Sequence, residues 1–325
     1  MRAPLRPSTE LTGDKMQKVA IIGAGRVGET TAQILAEQEI CREVVLIDIR
    51  DDVPQGVALD IFQTAPFFEF DTRVTGSNDP AAMQDANVVV ITAGVPRKPG
   101  MSRSDVLDTN VAVIDGIAAD IQRYAPDAIV IVVTNPVDVL TYRVWQLTGW
   151  PRERVIGQAG VLDASRMAAF IALETGFSTR DITTIVLGGH GDSMVPVPRF
   201  CTINGIPVSH FVAPDRLAEI VQRTRGGGAE ILALRKNSSA YDAPGASVAA
   251  MIDAISHHRN RLMPCVALLD GEYGENDIAM GVPCILSNTG LQRIIELDLD
   301  EVESAMFRES AAGVRADIGR MKPPG

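Results

Sequence analysis

His190 lies in the run LGGHGD, Leu187 to Asp192, flanked by glycines just after a strand-like apolar stretch. Glycine lets backbone come close to a ligand, and an imidazole titrates near neutral pH, so this setting suits a proton donor and acceptor as well as a plain structural histidine. The other three histidines, His210, His257 and His258, sit in polar, helix-edge contexts and read as surface residues. Asp163 and Arg166 are three apart in an apolar-periodic helix and so share one face. A carboxylate there can hold an imidazole in one tautomer and stabilise its protonated form. A guanidinium beside it can grip a carboxylate with two parallel hydrogen bonds, which lysine cannot. By spacing alone such a pair is more often a surface ion pair. The apolar neighbours Val161, Leu162, Met167, Ala168 and Phe170 are what argue for a sheltered one.

A second group of residues lies in the first half. Gly23, Gly25 and Gly28 form a G-x-G-x-x-G with Ala24, Arg26 and Val27, placed directly after the strand pattern Lys18–Ile22 and at the start of a helix pattern. The first glycine permits a tight turn, the second lets a pyrophosphate approach the backbone, and the third allows close helix–strand packing. Asp48 follows Gly28 by 20 residues at the end of Val44–Ile47, where a carboxylate can accept from both ribose hydroxyls and would repel a 2′-phosphate. NAD is therefore favoured over NADP, although Arg50 is a cation close by. The segment from Ala93 to Asp105 holds Arg97, Lys98 and Arg103 among Gly and Pro, and reads either as a loop closing over a cofactor edge or as a solvated basic turn. A base, cations and a dinucleotide site together are the parts that hydride transfer at an alcohol carbon requires.

These residues need a scaffold, and the patterning supplies one. Nearly continuous Val and Ile at Val19–Ile22, Val44–Ile47, Val88–Thr92 and Ile129–Thr134 predict parallel strands buried on both faces. Helical periodicity over Val27–Gln38, Val106–Tyr124 and Val139–Leu147 alternates with them, which implies βαβ units and a doubly wound, Rossmann-type sheet. Past Gly149 the texture becomes α+β with antiparallel strands. A helix is predicted from Val161 to Thr175, short strands at Ile182–Leu187, Pro198–Ile203 and Pro207–Val208, and helical regions at Ala229–Leu234 and Ser247–His258. Strands at Met263–Asp270 and Val282–Ser287 precede a charged helix from Asp300 to about Met321. The expected division is a disordered extension over 1–15, a dinucleotide-binding domain over 16–150 and an α+β catalytic domain over 151–325.

Whole-chain quantities exclude several classes. A net charge of −11 disfavours a phosphate backbone as partner, so no nucleic acid is expected. No apolar run reaches the roughly 18–20 residues that span a bilayer. Residues 1–15 carry no apolar signal core, so no membrane partner and a cytoplasmic location are expected. Cys41, Cys201, Cys265 and Cys284 are far apart and sit among apolar residues, as buried thiols do. The acids and histidines lack ligand spacing, and no metal is expected.

The stretches AIIGAGRVGETTAQ, ITAGVPRKPGMSRSD, VTNPVD, VLDASR, GGHGDSMVPVP and RTRGGGAEI occur in one order. Through them the chain, from Lys18 to about Arg320, resembles the lactate/malate dehydrogenase family, and within it the lactate-dehydrogenase-like malate dehydrogenases. The resemblance implies NAD-dependent, reversible oxidation of malate to oxaloacetate, with His190 exchanging the proton and Asp163 paired to it. It implies that Arg166 binds the C1 carboxylate, Arg103 polarises the C2 carbonyl, and Asn135 lies at the cofactor–substrate boundary before a cis Asn135–Pro136 bond. Thr92, Ala93, Gly94, Asn110 and Val133 are implied as further cofactor contacts. Position 97 is implied to select the substrate, Gln for lactate enzymes and Arg, as here, for malate enzymes. A small dicarboxylate substrate and a homo-oligomer follow, a homotetramer favoured over a homodimer. Gly56–Phe62 and Phe211–Arg223 are plausible interface material. Two positions depart from the family pattern: Asp242 where an aromatic residue is usual, and Ser193 for a commoner Thr. The alternatives are a lactate or other 2-hydroxy-acid dehydrogenase, and a non-enzymatic dinucleotide-binding or structural protein.

Overall fold

In the computed structural model, residues 16–95 and 103–322 are described, with backbone alone for 103–105. The expectations for residues 1–15 and for Arg97 fall outside them. The first half alternates as the apolar runs require. It comprises β1 (Met16–Ile22), α1 (Arg26–Glu37), β2 (Cys41–Ile47), α2 (Val53–Gln63), α3 (Ala65–Phe68), β3 (Arg73–Ser77), β4 (Val88–Ile91), α4 (Arg103–Tyr124), β5 (Ile129–Val132), α5 (Val137–Thr148) and β6 (Val155–Gly157). The six strands pair in parallel in the order β3-β2-β1-β4-β5-β6. Chain order reverses between β1 and β4, and an open sheet leaves a ligand crevice at the strand ends where that happens. Val88–Ile91 and Ile129–Val132 are buried throughout, because helices cover both faces of the sheet.

The second half holds α6 (Gly160–Thr175), β7 (Ile182–Thr183), β8 (Val186–Gly188), β9 (Met194–Pro196), β10 (Thr202–Ile203), β11 (Ile206–Pro207), α7 (Pro214–Arg235), α8 (Asp242–Ser256), β12 (Arg261–Asp270), β13 (Asn276–Ser287), β14 (Gly290–Ile294) and α9 (Glu301–Ile318). Antiparallel β12, β13, β8 and β9 continue the first sheet, β12 meeting β6 at Val266 and Gly157. The parallel-plus-antiparallel fold class is thus as predicted. Among the described residues no helix is long and apolar enough to cross a membrane. The four cysteines are buried and none is in a disulfide.

Several expectations at element level need correction. β3 and β14 carry polar or glycine residues (RVTGS and GLQRI) and lacked an apolar run to betray them. The strand expected over Pro198–Ile203 begins only at Thr202. Pro198–Phe200 forms a short 3-10 turn, in keeping with a proline that fixes φ and offers no N–H to a ladder. The expected strand Ile182–Leu187 is two short ones, β7 and β8, in different sheets. His258 is half-buried rather than on the surface.

Candidate active site

The glycine loop follows from its three spacings. Gly23 turns the chain out of β1 at φ +110°, and a Cβ there would stand 2.6 Å from Thr92 Oγ1. Gly25 is the N-cap of α1 and has open space around its Cα, the approach a pyrophosphate needs toward the free N–H groups of the helix start. Gly28 presses on the Gly23 carbonyl, so any side chain at 28 would collide with backbone. Arg26 is exposed and lies near Glu29 and the ring of Tyr241. Val27 is half-buried beside them.

Asp48 closes this loop. Its Oδ2 accepts the Ala24 N–H at 2.8 Å, and Arg50 spans both carboxylate oxygens through Nε (2.9 Å) and Nη2 (2.8 Å). The Arg50 guanidinium is the main reason that Asp48 is held down to about 2, so the carboxylate is charged at every physiological pH. Arg50 is therefore spent on Asp48 and on the Ala24 carbonyl (3.0 Å), not free beside the ribose position. Asn78, which sequence reading did not single out, ties the carbonyls of Asp48 and Arg50 together at 2.7 and 2.8 Å.

The strand ends beyond the loop are bound to one another. Thr92 Oγ1 donates to the carbonyls of Gly23 and Ile22 at 2.9 and 3.2 Å, alternatives for a single hydroxyl proton. Asn110, buried on α4, accepts the Val95 N–H at 2.8 Å and donates to the Asn135 carbonyl at 2.8 Å, bracketing the ends of β4 and β5. Thr134 Oγ1 donates to Ala93 O at 2.7 Å, and the Val133 N–H to Ile91 O at 2.9 Å. Gly94 and Asn135 are exposed at this rim, and the Asn135–Pro136 peptide is cis, as the resemblance implied. Glycine loop, aspartate and rim all lie at the strand ends beside the β1/β4 switch point, and this arrangement fits a dinucleotide.

His190 follows β8 in a glycine turn, with Gly188 at φ +83° and Gly191 at φ +94°. Its Nδ1 is 2.9 Å from Asp163 Oδ2, which assigns the ring proton to Nδ1 and leaves Nε2 as acceptor. The ring keeps 18 % of its surface exposed, so a small molecule can reach it. Burial works against the imidazolium, but the Asp163 charge and hydrogen bond, with a smaller contribution from Asp138, outweigh it and raise the His190 pKa above the ordinary histidine value. Asp163 Oδ1 also accepts from Arg166 Nη1 at 3.0 Å, so one buried carboxylate holds both the imidazole and the guanidinium. Arg166 Nε is buried and lacks a hydrogen-bond partner among the described residues. Room for this side chain comes from α7, where a Cβ on Gly227 would stand 3.1 Å from Arg166 Cδ.

Two further residues went unnoticed in the sequence. Asp138, the last residue of VTNPVD, accepts the His190 backbone N–H at 2.9 Å, and buried Gln158, just past β6, donates to Ser247 Oγ on α8 at 2.5 Å. Asp138 stands second in α5, two residues after Pro136, and its partner is a backbone N–H that no sequence motif marks. Asp242 is exposed at the start of α8 and paired with Arg235 at 2.7 Å, so its charge is balanced on the spot. Of Arg103 the structure describes the backbone at the start of α4. Among the described residues no group of His, Cys, Asp or Glu could hold a metal.

Known proteins resemble this chain in sequence and in chain trace. Residues 17–157 match the lactate/malate dehydrogenase NAD binding domain, and residues 160–322 match the lactate/malate dehydrogenase alpha/beta C-terminal domain. A malate dehydrogenase of Thioalkalivibrio sulfidiphilus is 64% identical over 307 residues, 94% of this chain and 100% of that one. One of Pseudomonas putida is 57% identical over 94% of this chain and 99% of its own. The solved malate dehydrogenase of Salinibacter ruber superposes with a TM-score of 0.90 at 44% identity, covering 94% of this chain and 97% of that one. A lactate dehydrogenase of Cryptosporidium parvum, solved with lactic acid and nicotinamide adenine dinucleotide, also reaches 0.90, at 36% identity over 94% of this chain and 98% of its own. Two adjoining domain matches and relatives aligned nearly end to end leave one conclusion: the chain belongs to the lactate/malate dehydrogenase family.

Proposed function

We propose that the protein catalyses the reversible NAD-dependent oxidation of (S)-malate to oxaloacetate, with His190 exchanging the proton of the C2 hydroxyl. The observation that carries the reading is the double use of Asp163, which binds His190 Nδ1 on one oxygen and Arg166 on the other. A base with its far nitrogen free thus stands next to a cation whose buried Nε still has a hydrogen to give. His190 Nε2 takes the hydroxyl proton, Asp163 stabilises the imidazolium that results, and Arg166 anchors the C1 carboxylate. Bound NAD supplies the hydride acceptor. In the reverse direction Arg103 polarises the C2 carbonyl as negative charge develops on it. For the cofactor, Gly23, Gly25 and Gly28 with Arg26 and Val27 form the pyrophosphate cradle. Thr92, Ala93, Gly94, Asn110, Val133 and Asn135 form the rim, and Asp48 receives the ribose hydroxyls in place of the two Arg50 side-chain donors.

Arg97 discriminates between acids. Oxaloacetate offers a distal carboxylate to pair with it, whereas pyruvate would leave the guanidinium without a partner in a partly dry site. An unpaired buried charge costs about 3–5 kcal/mol, a factor of roughly 10²–10³ or more in kcat/KM. This matters because the lactate dehydrogenase above superposes as well as the malate enzyme, so chain trace does not separate the two substrates. The test is steady-state NADH oxidation with oxaloacetate and with pyruvate. The wild-type protein should prefer oxaloacetate by that factor, and Arg97→Gln should lose most of the preference. Equal kcat/KM for the two acids in the wild-type protein would remove the malate assignment, leaving a lactate or other 2-hydroxy-acid dehydrogenase.

The same reading takes residues 16–150 as the dinucleotide-binding unit and 151–325 as the catalytic unit, and places the protein in the cytoplasm as a homotetramer. Support for self-association comes from α2 and α3, where Leu59, Phe67 and Phe68 are exposed.

A further inference from the structure

Asp138 occupies the second position of α5, directly behind the glycine turn that carries His190. It is buried, 5 % exposed, and its Oδ2 accepts the His190 backbone N–H at 2.9 Å. Its other oxygen, Oδ1, is buried with no hydrogen-bond partner among the described residues. For a tether this is a poor choice of residue. An amide or hydroxyl oxygen would accept the same N–H without burying a charge, and a carboxylate with one oxygen unsatisfied is destabilising. Burial accordingly pushes the Asp138 carboxyl up to about 6, against the hydrogen bond and charge of His190, which favour its ionised form. The charged or titratable groups acting on the pair are Asp163 and Arg166, both on α6. From α9 the turn receives a neutral group, the Ser310 hydroxyl, which accepts the Gly189 N–H at 2.8 Å.

We propose that Asp138 is a positioning residue for the proton relay, fixing the backbone of His190 and supplying a second buried negative charge to its imidazolium form. Asp163 orients the ring from its Nδ1 edge, while Asp138 holds the main chain from which the ring projects. The two carboxylates act on one imidazole, so protons on the three groups are exchanged as a coupled set. The inference rests on His190 being the proton acceptor, and the test separates the two ideas.

Asp138→Asn keeps an oxygen to accept the His190 N–H and deletes the charge, and Asp138→Ala deletes both. The His190 ring Cε1–H resonance, assigned by its loss in His190→Asn, is titrated in full-length protein with NADH bound, and kcat/KM for malate is measured across the same pH range. Both variants should titrate His190 lower than wild type by about half a unit to one unit. The acidic limb of the malate profile should move with it. At the pH optimum Asp138→Asn should keep kcat within about threefold of wild type, and Asp138→Ala should lose on the order of tenfold with the anchor gone. If the amide is poorly accommodated, Asp138→Ser repeats the charge deletion with a smaller acceptor. A His190 midpoint that stays at the wild-type value in the charge-deleted variants, whatever happens to kcat, reduces Asp138 to a structural tether and overturns the proposal. Turnover surviving in His190→Asn would instead remove the base assignment.

Discussion

At the scale of single residues the site is governed by which charges share a partner. Asp163 is buried and serves His190 and Arg166 at once. Its negative charge, opposed by burial of the ring, raises the His190 pKa. The sign for catalysis follows directly. Malate oxidation needs the neutral ring, so kcat/KM for malate should rise with pH through a midpoint above the ordinary histidine value of about 6.5. Oxaloacetate reduction needs the imidazolium and should fall over the same range. Rate profiles in both directions check this, and a malate midpoint below 6 would mean that the desolvation of the ring outweighs Asp163.

Elements place these residues through close backbone approaches. Gly28 lies inside α1, where replacing glycine by alanine ordinarily gains about 1 kcal/mol in helix propensity. Here the added methyl meets the Gly23 carbonyl, which belongs to the turn itself and has no rotamer by which to move aside. Overpacking of this kind costs about 1–3 kcal/mol, so the steric effect wins. Gly28→Ala should therefore lower the denaturation midpoint and weaken NADH binding by on the order of tenfold, read by chemical denaturation and fluorescence titration. Unchanged NADH affinity would show that α1 can back away from β1 without disturbing the pyrophosphate cradle. α4 and α5 are joined in a similar spirit by Arg143, which is 1 % exposed and bonds both oxygens of Asp115 at 2.7 and 2.6 Å. That link fixes the helix carrying Asn110 to the one carrying Asp138.

Across the whole molecule, one continuous sheet joins the halves at Gly157 and Val266, and the residues proposed for the proton relay come from both sides of that seam. Asp138 is contributed by the parallel half, and His190, Asp163 and Arg166 by the other. The outer surface carries exposed large apolar side chains, Phe67 at 83 % and Ile49 at 95 %, with Leu59 and Phe68 also exposed. Exposed large apolar side chains on consecutive short helices favour burial against another copy. Sedimentation equilibrium should give four times the 34.8 kDa chain mass, and Phe67→Asp with Phe68→Asp should lower it. A wild-type protein that sediments as a monomer at micromolar concentration would refute the tetramer.

The sequence by itself determined the parallel sheet and the glycine loop, because both are written in short range. Val88–Ile91 is apolar at every position as a strand covered on both faces must be, and Gly23, Gly25 and Gly28 act within one turn. It also exposed His190, Asp163 and Arg166 as chemically apt residues, and the family resemblance assigned their roles. Only the tertiary structure decided which of these meet. His190 and Asp163 are 27 residues apart, and His190 and Asp138 are 52 apart. Nothing in local spacing encodes a hydrogen bond across such a gap. Asp138 escaped notice for that reason, since its partner is a backbone N–H that every residue possesses. Arg50 changed its meaning likewise, from a free cation near the ribose position to a clamp on Asp48. Short-range patterns select elements, whereas the pairing of buried charges depends on how those elements pack.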